Sequence, residues 1–400
     1  MTKFRSVFDM KILVVSQYYY PEPFRISDIC EELVNLGHEV EVLTGVPNYP
    51  EGEIYAGYKN RKRREEKVNG VNVHRCYTIP RRKSTIFRFL NYYSFVFSSV
   101  WRSFTIKSDF DVVFVNQLSP VMMSYAAIVY KKIHKKKMIL YCLDLWPESL
   151  TIGGISRGSF VYKIFHGISS KIYKSADRIL VSSKMFSDYF EKEFGITKTI
   201  YLPQYAEKIF SPDACFKKPN NKIDLMFAGN IGSAQSVETI IYAANITRRI
   251  DNLFWHIVGD GAELENMKSL TKSLELSNVI FHGRKSIEEM PMYYAMADAM
   301  LVTMTKNDLI STTLPGKIQT YMAAGKPIIG AIDGEASVVI RDTHCGVCCA
   351  AEDFEGLAEL VMDFINNENR YKYAQASLEG YDRLFSKEKV ITALIDNLSV

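Results

Sequence analysis

Apolar residues recur along this chain in short β-branched runs, and most runs are followed by a stretch of helical period. "KILVVSQ" (11–17) reads as a buried strand. "RISDICEELVNLG" (25–37) then sets Ile26, Ile29, Leu33 and Leu36 on one face, an amphipathic helix that Gly37 closes. "HEVEVLTG", "DVVFVNQ", "MILYCLD", "DRILVSS" and "TIYLPQ" continue the strand series. The polar, turn-rich "YAEKIFSPDACFKKPNNK" (205–222) interrupts it and is the best linker candidate. The alternation then restarts: "IDLMFAGNIG" is a strand into a glycine turn, and "SVETIIYAANIT" a helix. "FWHIVGDG", "NVIFHGR", "DAMLVTM", "PIIGAI" and "CGVCCA" are further strands. Alternating strand and helix signals predict α/β architecture with parallel sheets. Four hundred residues exceed one ordinary core, so the pattern predicts two doubly wound, Rossmann-like domains facing across a cleft. The expected boundaries are 10–205 and 206–380, with a final helix in 381–400 packing back on the first domain.

Charge adds an asymmetry. Residues 1–205 hold 30 Lys+Arg against 19 Asp+Glu, and residues 206–400 hold 19 against 26. The basic half carries "RKRR" (61–64), "RRK" (81–83) and "KKIHKKK" (131–137), which suggests an anionic partner. Between these runs lies "STIFRFLNYYSFVFSSVWRSF" (84–104). It has the length of a membrane span, but Arg88 and Arg102 interrupt it and Ser and Asn dilute it. Two readings stand side by side: a helix whose aromatic face lies on a bilayer surface or in a cleft, and a core helix with snorkelling arginines. No recognition-helix or RNA-binding signature accompanies the charge, so an anionic membrane ranks above nucleic acid.

Other classes recede. "ILVVS" is too short for a secretory h-region, and seven unevenly spaced cysteines indicate reduced, buried thiols in the cytoplasm. "HCGVCC" (344–349) lacks the matching Cys or His spacing that would complete a metal site, so core packing around a strand is favoured. Residues 1–9 read as a disordered extension, with Met10 a candidate start. A dinucleotide dehydrogenase would need G-x-G-x-x-G after the first strand, where "SQYYYPEPFR" stands instead. His38 in "GHEV" fits a helix-to-strand turn, and His134 and His166 have no identifiable partner.

"LPGKIQTYMAAGKPIIG" (314–330) poses a sharper question. Ile318, Tyr321 and Met322 have core-facing helical spacing, Gly325 ends the helix and "PIIGAI" is a strand. Lys317 at the start of that helix is either a solvated first-turn residue or part of an anion site, where free N–H groups and the helix dipole act with its charge.

Residues 10–400 resemble family 4 glycosyltransferases of GT-B architecture. "GHEVEVLTG", "FAGNIG", "IVGDG", "FHGRKSIEEMPMYYAMADAML" and "MAAGKPII" occur in that family's order. "VPNYPEG", "LDLWPESL", "GNIGSAQSVETI" and "LPGKIQTYMAAGKPI" resemble the bacterial surface-polysaccharide branch labelled N-acetyl-L-fucosaminyl (L-fucosamine) transferases. The resemblance implies transfer from a UDP-sugar, held by the carboxyl half, to a lipid-linked, undecaprenyl-type glycan held by the amino half. It further implies retention of configuration, no metal or other cofactor, and a cytoplasmic enzyme peripheral on the anionic inner membrane surface. Donor contacts are expected at Gly229, Asn230, Gly232, Gln235, Gly259, Gly261, Gly283, Arg284, Thr312, Thr313, Lys317 and Thr320, and acceptor contacts at Arg25, Asn48, Tyr49, Asp144 and Glu148. Lys317, Arg25 and Asp144 are the expected catalytic groups. Asp144 is a candidate base, and equally an orienting or capping residue.

Departures from the family sharpen the role of Lys317. The pyrophosphate-loop Arg and Lys of many members are replaced by Asn230 and Gln235, and two glutamates by Thr312 and Thr320. The acidic ribose contact is therefore absent, or is replaced by a hydroxyl or by Gln319. Leaving-group charge must then be met by Lys317 and Arg284, with Arg25 reaching across the cleft. A UDP-sugar epimerase and a non-catalytic, membrane-associated sugar-binding subunit are the alternative readings.

Overall fold

The computed structural model describes residues 9–59, 62–82, 84–107, 109–152, 154–216 and 221–399. Residues 1–8 of the expected extension, Arg61 and Lys83 of the basic runs, and 217–220 of the expected linker lie outside these. The chain divides into two compact units. The first comprises Met1–Ser182, Phe186–Leu202 and Ile391–Val400, and the second Ser183–Met185 and Pro203–Val390.

In the first unit the strands are β1 (Lys11–Val15), β2 (Glu39–Thr44), β3 (Glu65–Val68), β4 (Val71–Arg75), β5 (Val112–Gln117), β6 (Lys137–Cys142), β7 (Arg178–Val181) and β8 (Thr199–Tyr201). Among the described residues they form one sheet in the order β3-β4-β2-β1-β5-β6-β7-β8. All neighbours are parallel except the β3–β4 hairpin. Asn69 and Gly70 turn that hairpin with φ of 47° and 88°, the left-handed pair that a tight two-residue turn requires. Central strands are covered on both faces, so Ile12, Leu13, Val14 and Val15 have no exposed surface. The helix over Thr85–Ser103 agrees with the 84–104 expectation. At the chain end, Arg178 donates to the Asn397 carbonyl at 3.3 Å, and Leu394 and Leu398 are buried in the first unit.

The second unit holds β9 (Ile223–Ala228), β10 (Leu253–Val258), β11 (Val279–Gly283), β12 (Ala299–Thr303), β13 (Ile328–Ala331) and β14 (Gly346–Cys349), all parallel, in the order β11-β10-β9-β12-β13-β14. The two-residue period of β9 sends Met226 and Ala228 to one core, with Tyr321 and Ile340, and Leu225 and Phe227 to the other, with Trp255 and Leu357. Strand order reverses between β1 and β5 and between β9 and β12, the positions at which doubly wound sheets open a ligand crevice.

Two features differ from the sequence reading. The 205–222 segment is no mere spacer, because Phe210 and Cys215 are buried in a core of the second unit. Polar residues around them hide this from a composition argument. The second unit also runs past 380, with Phe385 fully buried in it. The cysteines are free thiols, and Cys345 is fully buried beside β14.

Candidate active site

In the second unit the exits of β9, β10 and β11 are stitched edge to edge. Gly229 N–H donates to the Val258 carbonyl at 2.9 Å, and Gly259 N–H to the Gly283 carbonyl at 3.0 Å. Gly259 has φ +149°, and a Cβ there would lie 1.8 Å from the Gly229 carbonyl oxygen. A side chain is therefore impossible without moving backbone, and the glycine permits the close approach of the two turns. Gly261 is similar, with a Cβ 2.3 Å from the Ile231 oxygen.

Lys317 lies against the first of these turns. The helix Gly316–Ala323 is fixed on β9 by Tyr321, whose hydroxyl accepts from Ala228 N–H at 3.2 Å and donates to the Ala228 carbonyl at 3.1 Å. From that helix the Lys317 Nζ sits 4.0 Å from the Phe227 ring centroid and 3.1 Å from where a Gly229 Cβ would be. The Nζ is covered and has no hydrogen-bond partner. Burial pulls its pKa down to about 7. The solvated alternative is thereby set aside. An ammonium held over one ring face and otherwise unpaired is a poor resting state, and an oxyanion at the exposed Gly229–Asn230 turn would complete it.

The other carboxyl-half candidates divide. Asn230 is exposed and donates through Nδ2 to Gln235 Oε1 at 3.0 Å, so the two amides replacing the family's cations hold one another. Arg284 is exposed just after β11, and Thr313 is half-buried on the loop before Lys317. Thr312 and Thr320 donate their hydroxyls to helix carbonyls, Thr312 to Leu309 at 2.7 Å and Thr320 to Lys317 at 2.9 Å. Gln319 is 1% exposed, and its amide turns back on the Pro315 and Gly316 carbonyls. None of these three offers a carboxylate or a free amide in place of the missing acid.

In the first unit, cis X-Pro bonds follow β1, β2, β5 and β6, at Tyr20–Pro21, Tyr49–Pro50, Ser119–Pro120 and Trp146–Pro147. Glu22 ties two of these exits together. Its Oε1 accepts from the N–H of Asn48 at 2.8 Å and of Tyr49 at 2.7 Å, while burial pushes its pKa up to about 7. Asn48 is buried, and its Oδ1 accepts from Arg81 N–H and from Asn91 Nδ2. Tyr49 packs its ring on Tyr18 and Phe24, with the Arg81 guanidinium 5.7 Å from its centroid. Arg25 is half-buried at the head of the helix Ile26–Asn35. Asp144 follows β6 and accepts from the Ser119 hydroxyl, which lies 2.8 Å from that of Ser149. Burial raises the Asp144 pKa, and the Ser119 bond opposes the rise.

Glu148 stands apart. Its side chain has no exposed surface, and both oxygens are occupied. Tyr162 and Tyr189 donate to Oε1 at 2.5 and 3.3 Å, and Arg157 donates to Oε2 at 3.0 Å. With every acceptor position used internally, its geometry is that of a structural anchor rather than an acceptor contact.

Two family models cover most of the chain. Residues 213–378 match "Glycosyl transferases group 1", and residues 25–202 match "Glycosyltransferase Family 4". The chain is a glycosyltransferase. Along its whole length this glycosyltransferase is 25% identical to a putative colanic acid biosynthesis glycosyl transferase, WcaI, of Escherichia coli K12, covering 97% of this chain and 100% of that one. It is 27% identical to a probable glycosyltransferase, WbjE, of Pseudomonas aeruginosa, over 56% of this chain and 59% of that one. Among solved structures it resembles Anabaena HepE in complex with UDP, with a TM-score of 0.73 at 14% identity, covering 98% and 100% of the two chains. It also resembles WaaG, a glycosyltransferase of lipopolysaccharide biosynthesis, with a TM-score of 0.65 at 14% identity, covering 97% and 99%. These likenesses establish the GT-B fold for the glycosyltransferase.

Sequence reasoning missed Phe227 and Tyr321 as the seat of Lys317, and Glu22 and Ser119 in the first unit. Only the tertiary fold brings them to the site. For Phe227 a weak signal existed, since it lies two residues before Gly229.

Proposed function

We propose that this glycosyltransferase moves a sugar from a UDP-sugar to a lipid-linked, undecaprenyl-type oligosaccharide during synthesis of a bacterial surface polysaccharide, with retention of configuration. The covered, unpaired Lys317 Nζ beside the β9 exit carries the reading, because it calls for an anionic ligand and a donor diphosphate is one. Negative charge grows on that diphosphate as the glycosidic bond breaks, so a preorganised cation there lowers the barrier. The UDP complex of HepE and the colanic acid context of WcaI support donor and pathway class by analogy. N-acetyl-L-fucosamine is the sugar we propose, on the strength of "VPNYPEG", "LDLWPESL" and "LPGKIQTYMAAGKPI". Asp144, with its raised pKa and its Ser119 bond, orients the acceptor hydroxyl or takes its proton. Arg25, Asn48 and Tyr49 shape the acceptor crevice around it.

We further propose that the enzyme works at the cytoplasmic face of an anionic membrane. The Thr85–Ser103 helix supports this, exposing Ile86, Leu90, Phe97 and Trp101. Among the described residues no helix is long and apolar enough to cross a bilayer. The test is incubation of radiolabelled UDP-sugars, UDP-N-acetyl-L-fucosamine first, with the protein and membrane lipid extract. Label in a lipid-linked product is expected. An altered free nucleotide-sugar would instead indicate an epimerase, and retention without turnover a binding subunit.

A further inference from the structure

We infer that Lys317 takes up a proton from solvent when the donor binds, so that diphosphate recognition by this enzyme is proton-linked. The inference rests on the UDP-sugar reading above and names a regulation of that site. The geometry carries it. The Nζ is covered, lies on the face of Phe227, and has neither an acceptor nor a water-exposed side.

The groups packed around it leave the ammonium uncompensated. β9 and its turn present Phe227, Gly229 and Asn230, all uncharged. The other titratable side chain of its own helix is Tyr321, and Tyr294 of the helix Met290–Met296 packs edge-on against Tyr321 at 5.5 Å. Burial raises both phenols well above their ordinary value, so both stay neutral. Among the described residues no carboxylate and no second cation acts on Lys317, and desolvation is the one cause of its shift. The ligand-free amine therefore titrates near pH 7 rather than in the ordinary lysine range.

A diphosphate placed at the Gly229–Asn230 turn reverses that balance. Its charge stabilises the ammonium and restores an alkaline pKa, so binding above neutrality must draw a proton from solvent onto Nζ. When the nucleoside diphosphate leaves, the proton is returned. By linkage the uptake is about half a proton at pH 7 and close to one at pH 8. The dissociation constant should then rise nearly tenfold per pH unit above about pH 7 and flatten below it. The lost Arg and Lys of the pyrophosphate loop give this consequence its reach: with Asn230 and Gln235 there, no permanent cation on that loop masks the titration of Lys317.

Titration calorimetry with UDP-glucose and UDP-N-acetylglucosamine tests this at pH 6, 7 and 8, where neither the diphosphate diester nor the uracil titrates. Each pH is run in two buffers of different ionisation enthalpy, so that proton uptake is read directly. The expected result is an apparent binding enthalpy that differs between buffers at pH 8 and converges at pH 6, with affinity at pH 8 several-fold to tenfold weaker. Lys317→Arg, permanently charged, should bind with little buffer or pH dependence, and Lys317→Met should bind weakly at every pH. Binding of wild type with equal enthalpy in both buffers at pH 8 overturns the proton linkage while leaving the UDP-sugar reading intact. Failure of UDP, UDP-glucose and UDP-N-acetylglucosamine alike to bind overturns that reading, and the linkage with it.

Discussion

Lys317 lies against the turn that carries Asn230, and on the proposed reading the two contribute differently. A charge-assisted hydrogen bond to phosphate is worth about 1.5–3 kcal/mol and a neutral one about half that. Lys317→Ala should therefore lower kcat/KM about 10- to 100-fold, and Asn230→Ala about tenfold or less, with kcat falling in the former because the leaving group gains charge. Steady-state kinetics with circular dichroism as the folding control checks both, and normal kinetics for Lys317→Ala removes it from the site. The ligand-free protein offers a second readout. Because the folded-state pKa of Lys317 is lowered to about 7, the folded form holds fewer protons than the unfolded chain between pH 7 and the ordinary lysine value. The destabilisation this group causes is therefore largest at or below pH 7 and relaxes by about 1.4 kcal/mol per unit above it. Lys317→Met should raise the unfolding free energy more at pH 6 than at pH 9, and an equal gain at both would contradict the buried charge. Glu148, expected as an acceptor contact, has both carboxylate oxygens occupied by internal partners. Glu148→Ala leaves the Tyr162 and Tyr189 hydroxyls without their acceptor and should cost about 3 kcal/mol, seen as a lower melting temperature. Unchanged melting with weakened acceptor binding would restore it to the acceptor crevice. At this scale the sequence marked candidate residues, but not which of them were already satisfied. Glu148 and Gln319 look available in a string of letters, and only packing reveals their carbonyl and phenol partners.

Elements were more legible than residues because their signals are local. The 3.6-residue period of "RISDICEELVNLG" gives the helix Ile26–Asn35, and the apolar run "IDLMFA" gives β9. The β3–β4 hairpin was missed although "VNGV" carries a strong Asn-Gly turn, because the flanking "REEK" lacks an apolar run and β3 is an edge strand with Glu65 and Lys67 exposed. The helix Thr85–Ser103 has one face in the core and one exposed apolar face. Asn91, Phe95 and Ser99 face the core with no exposed surface, while Ile86, Phe97 and Trp101 are each at least 70% exposed. The helix Phe160–Ser175 adds Phe160, Val161 and Ile164 at its outer start, and both helices pack on the 121–124 turn. Such apolar area on two neighbouring helices suits an interfacial membrane contact. Replacing Phe97 and Trp101 by Ser should thus reduce sedimentation with vesicles of mixed anionic and neutral lipid severalfold while leaving melting unchanged or raised. Undiminished sedimentation would place the membrane contact elsewhere.

At the scale of the whole chain, fold class follows from the alternation of elements, and the GT-B likeness across 98% of the chain agrees with it. The charge partition has no such structural imprint, since net charge bears on partners and not on fold. Among the described residues no cluster of three or more His, Cys, Asp or Glu side chains could hold a metal ion. The lack of such a cluster does not bear on a metal carried by the diphosphate itself; on the proposed reading Lys317 and Arg284 neutralise the leaving group, so turnover should survive EDTA, and complete loss restored by magnesium or manganese would contradict this. If the enzyme works at an anionic membrane, as proposed, charge should help to hold it there. Residues 1–205 carry 30 Lys+Arg against 19 Asp+Glu, and residues 206–400 carry 19 against 26. Each basic residue near an anionic bilayer contributes about 1 kcal/mol, and the attraction decays within a Debye length of about 8 Å at physiological salt. The basic half is therefore the one expected to meet an anionic lipid surface. Sedimentation with phosphatidylglycerol vesicles should therefore be strong at 20 mM salt and fall steeply by 500 mM, whereas the weaker binding to phosphatidylcholine vesicles, held by the Phe97 and Trp101 face, should change little with salt. Replacing Arg81, Arg82 and Arg88 by Gln should remove most of the salt-dependent part without altering UDP-sugar affinity. Equal binding to charged and neutral vesicles at low salt would mean that the charge partition serves solubility and not membrane attachment.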